Sequence, residues 1–255
     1  MTLETQVDWR DWAIRWERQQ EVHLPSREER FRLMLEVIEH QLGPGALHVL
    51  DLCSGPASIG RRILDRFPAA TVVAADLDPF SLEIGRQTVG RDYPKRISWL
   101  EADLRGDAWL EQLEPGSFDA IVSATAIHWF KPEEQALLYQ RLASLAKVGA
   151  VFANADHLPV GSPTIAATSA QLMEATTQEN MARPDAESWT DYWEAARAEP
   201  GFSDLLEERE RRFGPDVNTP DWSVDYHREA LLGAGFREVA EVWRHHSDAI
   251  LVAIR

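Results

Sequence analysis

The run His48-Val49-Leu50-Asp51-Leu52-Cys53-Ser54-Gly55-Pro56-Ala57 narrows the possible folds of this chain more than any other stretch. Val49, Leu50 and Leu52 read as a buried strand, a Gly-Pro turn breaks it, and Ser58 to Phe67 has the apolar spacing of a helix. Such a strand–turn–helix carries Asp51 and a tight turn of small residues to the carboxyl edge of a sheet, where open α/β sheets bind ligands. The next apolar run, Thr71-Val72-Val73-Ala74-Ala75, closes on a second acid, Asp76, followed by Leu77-Asp78-Pro79 and an amphipathic run from Phe80 to Gln87. Two carboxylates at adjacent strand ends, one able to hold both hydroxyls of a ribose, suit a nucleoside that carries a positive charge.

The alternation continues. Ile97 to Leu104 reads as a third strand, and Phe118 to Ala124 as a fourth that runs on into Thr125-Ala126-Ile127-His128-Trp129-Phe130. A helix over Pro132 to Lys147 precedes a fifth strand, Ala150 to Ala155. At the other end, a helix over Tyr226 to Leu232 stops at Gly233-Ala234-Gly235, and Phe236 to Arg255 reads as two strands around His245-His246-Ser247-Asp248.

The order and spacing of these pieces over residues 46–155 resemble the class I S-adenosylmethionine-dependent methyltransferases, of the type that acts on small molecules. The resemblance implies an α/β fold: a Rossmann-like, seven-stranded, mostly parallel sheet whose last strand is antiparallel, with helices on both faces and a helical lid. It also implies S-adenosylmethionine as cofactor. Asp51 matches the family's acid before the turn, and Cys53, Gly55 and Ala57 fill its three glycine places, so only the middle glycine is kept. Asp76, with Leu77 after it, matches the ribose position, and Asp103, with Leu104, the position that accepts from the adenine amino group. Ser123 and His128, at and after the fourth strand, complete the expected cofactor pocket. A nicotinamide dinucleotide site is the rival reading of the same turn, but it needs three glycines and a pyrophosphate on the helix N-terminus. This turn is short of glycines and has an acid before it as well as after it.

Charge restricts the partners. Lys plus Arg is 26 against 42 Asp plus Glu, a formal net charge of −16, and no run of the chain supplies the cationic surface a polyanion requires. The Asn/Asp-Pro-Pro-Tyr/Phe signature of amino-base methyltransferases is replaced after the fourth strand by Ser123-Ala124-Thr125-Ala126. Nucleic acid is therefore not the expected substrate. The apolar runs are too short for a membrane span, Met1-Thr2-Leu3-Glu4-Thr5 lacks the pattern of a signal peptide, and the single cysteine allows no internal disulfide. A cytoplasmic enzyme is the expectation, with no metal site, since no ligand cluster rises above scattered acids. The oligomeric state is left open.

Four regions follow: an N-terminal helical lid segment (1–45), a cofactor-binding core (46–156), a helical lid insert (157–222), and a C-terminal helix and strand pair that complete the core (223–255). Helices are expected over 8–22 and 27–41, and in the insert over 165–178, 186–197 and 204–212. Trp9, Trp12 and Trp16 share one helical face, which reads first as a docking stripe and second as an apolar wall over the methyl group. Arg27, Arg30 and Arg32 read as surface ion-pair residues, with the methionine carboxylate as an alternative partner for one of them, and the His245-His246 pair as a surface hairpin loop away from the site. Methyl transfer is an in-line displacement at an activated carbon, so the protein must orient the acceptor, exclude water and, for a protonated acceptor, remove a proton. His157 is the candidate base; His128 is a second, more naturally a shaper of the pocket, and Asp156 a further possibility. The expected activity is methyl transfer to the oxygen or nitrogen of a small molecule. The alternatives are a non-catalytic binder of S-adenosylmethionine or S-adenosylhomocysteine, and a methyltransferase for a protein or carrier-bound substrate.

Overall fold

Runs such as Val49-Leu50 and Ala120-Ile121-Val122 are apolar on successive residues, not on alternate ones, because both faces of their sheet are covered. The structure, a computed structural model, describes residues 7–213 and 223–255. The N-terminal pentapeptide and the end of the expected lid insert fall outside those residues. The chain opens with α1 (Trp9–His23) and α2 (Arg27–Leu42). It then alternates: β1 (His48–Leu52), α3 (Ser58–Arg66), β2 (Thr71–Asp76), α4 (Pro79–Gln87), α5 (Val89–Asp92), β3 (Ile97–Glu101), β4 (Phe118–Ala124), α6 (Pro132–Leu145) and β5 (Ala146–His157). The insert supplies α7 (Pro163–Met181), α8 (Trp189–Ala198) and α9 (Ser203–Phe213), and the chain ends with α10 (Val224–Ala234), β6 (Glu238–His245) and β7 (Asp248–Ile254).

The seven strands form one sheet in the order β3-β2-β1-β4-β5-β7-β6. The first five are parallel to one another, and β7 lies antiparallel between β5 and β6. This is the doubly wound, mostly parallel sheet with an antiparallel last strand that the sequence implies. On one face Leu50, Leu52, Phe118, Phe152 and Leu251 pack with Leu138 and Leu142 of α6 and Leu231 of α10. On the other, Val49, Val72, Val122, Val151 and Ile250 pack with Met34 and Ile38 of α2 and Ile59 and Ile63 of α3. Local signals agree with these ends: Asp78 accepts from the backbone N–H of Phe80 ahead of Pro79 in the first turn of α4, and Gly235 closes α10 at φ +102°.

A third core lies outside the sheet. Trp12 of α1 meets Phe80 of α4, Tyr192 of α8 and Phe202 at ring-centroid distances of 6.3, 5.5 and 4.9 Å, with Trp193 and Leu206 completing the cluster. Each such aromatic pair adds about 0.5–1.5 kcal/mol beyond its buried area. The tryptophan stripe therefore docks α1 onto the insert and α4. Trp16, one turn on, packs against Tyr192 and Trp189 at 5.8 and 6.1 Å.

Three expectations need correction. The third strand stops at Glu101, not at Leu104, because the Asp103 carboxylate accepts the backbone N–H of Arg105 and turns the chain. The fifth strand runs from Ala146 to His157, longer than 150–155 at both ends, because Ala146 pairs with Phe118 of β4 and β7 pairs with the strand as far as His157 opposite Asp248. Arg27 and Arg30 are buried, at 4% and 0% exposure, and only Arg32 keeps a surface ion pair, with Glu36 at 2.7 Å.

Candidate cofactor and acceptor site

All three glycine places in the turn after β1 have left-handed backbone: Cys53 at φ +50°, Gly55 at +53° and Ala57 at +63°. The two non-glycine residues carry a strain of about 1 kcal/mol each, and the turn keeps its shape without its flanking glycines. The strain is offset by packing. Ala57 is fully buried at the start of α3, and Cys53 packs against the core beneath. Burial, with Asp76 and Asp156 nearby, pushes the Cys53 thiol well up, so it stays protonated.

The turn directs the backbone N–H of Gly55 to Oδ2 of Asp76 at 2.7 Å, while Oδ1 of Asp76 accepts from the N–H of Asp78 at 2.8 Å. Burial and the neighbouring Asp78 push the Asp76 carboxyl up to about 6, against the pull of those backbone donors. Each oxygen keeps lone-pair capacity for a further donor, as a ribose diol requires. Above the turn lies Trp16, whose ring is 3.3 Å from where a Cβ on Gly55 would stand. Beside it Glu17 accepts from Ser58 Oγ at 2.5 Å, from Arg62 at 3.1 Å and from Arg27, joining α1 to α2 and α3. Burial disfavours the Glu17 carboxylate, but the two guanidinium groups overcome this and hold it at about 2.

Asp51 stands behind the turn. It is fully buried, and its Oδ2 accepts the N–H of Gly60 at 3.0 Å. Burial pushes its carboxyl well above the usual range, and Oδ1 has no hydrogen-bond partner among the described residues. A Cβ on Gly60 would stand 2.9 Å from Oδ2 of Asp51 and 3.3 Å from Ala57 and Val72. Gly60→Ala is therefore expected to lower the unfolding free energy by about 1–3 kcal/mol, although alanine is the better helix former. Urea denaturation reads this directly, and an unchanged midpoint would mean that the Asp51 seat is not closely packed.

The other expected residues spread along the same carboxyl edge. The Leu77 carbonyl accepts from Arg212 at 3.1 Å and Asp78 from Arg209 at 3.0 Å, so α9 of the insert is clamped over the end of β2. Asp103 is half exposed and held by Arg105 through two 2.8 Å bonds, and this guanidinium keeps its carboxyl below the ordinary value. Leu104 is buried, with its carbonyl 3.3 Å from Arg141. Ser123 lies wholly inside the sheet, its hydroxyl donating to the Leu52 carbonyl at 3.3 Å.

At the ends of β4 and β5 two histidine–aspartate pairs meet. His128 Nδ1 and Asp156 Oδ1 are 2.6 Å apart, and Asp156 Oδ2 also accepts the His128 backbone N–H at 3.2 Å. Burial works against the Asp156 carboxylate, but His128 and His157 outweigh it and hold the carboxyl at about 2. His157 Nδ1 lies 2.7 Å from Oδ1 of Asp248, as a close ion-pair contact without hydrogen-bond alignment. The two imidazole centroids are 5.3 Å apart. Asp156 and His157 are successive strand residues and point to opposite faces of the sheet, so the pairs straddle its edge. The hairpin read as remote from the site thus brings Asp248 beside His157. No sequence signal marked Asp248 as part of this region, and Arg30 was expected at most against the methionine carboxylate; the register of β7 on β5 is what would have found Asp248.

Residues 49–149, which span the turn, the Asp76 and Asp103 positions and the strand before His128, match the methyltransferase domain family. Residues 49–149 thus carry a methyltransferase domain. It is 28% identical over 134 residues to trans-aconitate 2-methyltransferase of Azoarcus sp. (strain BH72), a match covering 52% of this chain and 48% of that one. The chain thus matches about half the length of that curated relative. Among solved structures it resembles an O-methyltransferase family protein from Burkholderia thailandensis, with a TM-score of 0.59 at 18% identity over 94% of this chain and 59% of the other. It also resembles a candidate S-adenosyl-L-methionine-dependent methyltransferase from Methanococcus maripaludis, with a TM-score of 0.56 at 15% identity over 100% of this chain and 97% of the other. At such identities the structural likeness establishes the fold; the arrangement of this chain's own side chains carries the chemistry. Among the described residues no helix is long and apolar enough to cross a membrane.

Proposed function

We propose that this protein transfers the methyl group of S-adenosylmethionine to an oxygen or nitrogen of a small molecule. The observation that carries the reading is the Gly55–Asp76 junction: a left-handed turn with no side chain at its centre, bonded to a buried carboxylate at the next strand end. When bound, the cofactor supplies a methyl carbon already activated by a positively charged sulfur. Asp76 holds the ribose hydroxyls through charge-assisted hydrogen bonds, Asp103 faces the adenine end, and Cys53, Gly55 and Ala57 keep the turn low enough for close approach. Trp16 and the insert exclude water above it, which strengthens each polar contact beneath.

His157 takes the acceptor's proton. Its side chain is 30% exposed against 14% for His128, so it is the more accessible of the two bases. His128, fixed at ring and backbone by Asp156, shapes the methyl end. The net charge of −16 argues for a small acceptor and against nucleic acid. The relative named for methylation of trans-aconitate makes carboxylic acids a first set of acceptors to screen.

Calorimetric titration with S-adenosylmethionine, S-adenosylhomocysteine and NAD tests the cofactor. Binding of both adenosyl ligands and not of NAD is the expected result. Binding of NAD alone would overturn the proposal, and binding of the adenosyl ligands without turnover across an acceptor screen would favour a non-catalytic binding protein.

A further inference from the structure

Arg30 of α2 is wholly buried, yet its guanidinium is far from saturated. Nη2 donates to Thr125 Oγ1 at 3.1 Å, while Nε and Nη1 have no hydrogen-bond partner among the described residues. Nη1 stands 3.9 Å from Oδ1 of Asp248, the same oxygen that His157 Nδ1 approaches at 2.7 Å. Asp248 is itself fully buried. One carboxylate, cut off from water, is therefore shared by a permanent cation and a titratable one.

An isolated buried carboxylate–imidazole pair resists losing its proton, because a neutral imidazole would leave the carboxylate as an uncompensated buried charge. A histidine in that state is a poor base near neutral pH. A guanidinium beside the same carboxylate removes the difficulty, since it stays charged whichever form the imidazole takes. We propose that Arg30 is a positioning residue for His157: by sharing Asp248 it remains a cationic partner for that carboxylate when the imidazole is neutral, so that His157 can lose and regain a proton. This inference rests on the reading of His157 as the proton acceptor.

The groups facing His157 are limited. Asp248 comes from β7 and Arg30 from α2, while His128 approaches from the segment after β4, and Asp156, the preceding residue of β5, acts through its charge. On β6, His245 stands opposite Asp248 in the antiparallel register, and Arg244 donates to the Leu158 carbonyl at 2.6 Å. Burial lowers the His157 imidazolium, Asp248 and Asp156 outweigh it to give a net rise, and Arg30 opposes that rise. The Arg30–Thr125 bond has a second effect. Thr125 is a β-branched residue at φ +56°, a conformation that needs outside support. Arg30 supplies it from one side, and the Thr125 N–H bond to Ala155 O, 2.8 Å, from the other, which steadies the segment leading to His128.

The test is a histidine-ring NMR titration of the labelled, ligand-free full chain, with the His157 signal assigned through His157→Gln. In Arg30→Met the midpoint of His157 is expected to move up by on the order of one pH unit, and Arg30→Lys, which keeps the charge, is expected to restore most of the difference. An unchanged or lowered midpoint in Arg30→Met overturns the proposal. So does Arg30→Lys titrating like Arg30→Met. If neither variant folds by circular dichroism, the wild type decides. A His157 ring that loses its proton within the stable pH range supports the coupling, and one that stays protonated throughout overturns it. Because no ligand is needed, a failure of cofactor binding in calorimetry would count against the methyltransferase reading without touching this result.

Discussion

Exchanging His157 for asparagine is expected to slow methyl transfer by about 10²–10⁴-fold, the usual contribution of a positioned general base, with the affinity for S-adenosylmethionine held within about twofold of wild type. Asparagine keeps a polar group near Asp248 but cannot accept and release a proton. Asp248 is fully buried, so the variant also leaves a charge with only Arg30 to balance it, and a thermal melt should accompany the kinetics. The informative comparison is with His128→Asn. That change removes the ring held by Asp156 at 2.6 Å, and the reading of His128 as a shaper of the methyl end predicts that it disturbs KM at least as much as kcat. Turnover by His157→Asn within about threefold of wild type would remove His157 from the mechanism and return the proton-acceptor role to the His128–Asp156 pair.

The second large effect concerns Asp76. Asp76→Ala is expected to weaken S-adenosylmethionine binding by about 1.5–3 kcal/mol, the range for hydrogen bonds to a charged group, or roughly 10–150-fold in calorimetry. The wild type adds a pH signature. The Asp76 carboxyl titrates at about 6 because burial and Asp78 disfavour its charge. Protonated, it offers one donor in place of a lone pair and loses the charge-assisted pair of bonds. Affinity should therefore be level above about pH 7 and fall as the pH drops through 6, and Asp76→Ala should flatten that dependence. The linkage to stability has the opposite sign. A carboxyl whose folded pKa lies above its unfolded value of about 3.9 destabilises the folded state as pH rises from about 4 to 6, here by on the order of 3 kcal/mol. Asp76 thus lowers the stability of the ligand-free protein, the cost of the charged partner that the proposed function gives the ribose. A pH-independent affinity in the wild type would refute the ribose assignment.

Most of the sheet was legible because its information is local. The buried strands β1, β2 and β4 are near-continuous apolar runs bounded by turn residues, and their ends agree with the expected ones within a residue. The glycine-poor turn was legible as a turn, but its backbone was not. Cysteine and alanine at two glycine places do not by themselves fix the backbone there, and only the packed structure shows all three places in the left-handed region. Asp51, expected against the cofactor, stands behind the turn, where its bond to Gly60 ties β1 to α3.

What escaped the sequence depends on contacts between distant segments. Arg30 and Asp248 are 218 positions apart and each looks like an ordinary surface charge in its own window. Burial of both follows from α2 lying across the end of β5 and from β7 pairing with β5 up to His157. A one-residue change in that register would turn Asp248 to the other face of the sheet. The sequence by itself determined the order of strands and helices, the carboxylates at their ends and the class of ligand those ends suit, because apolar periodicity and turn chemistry act over a few residues. Tertiary structure alone decided which charges are buried together at the ends of β4 and β5, because desolvation and shared carboxylates arise only when separate elements pack.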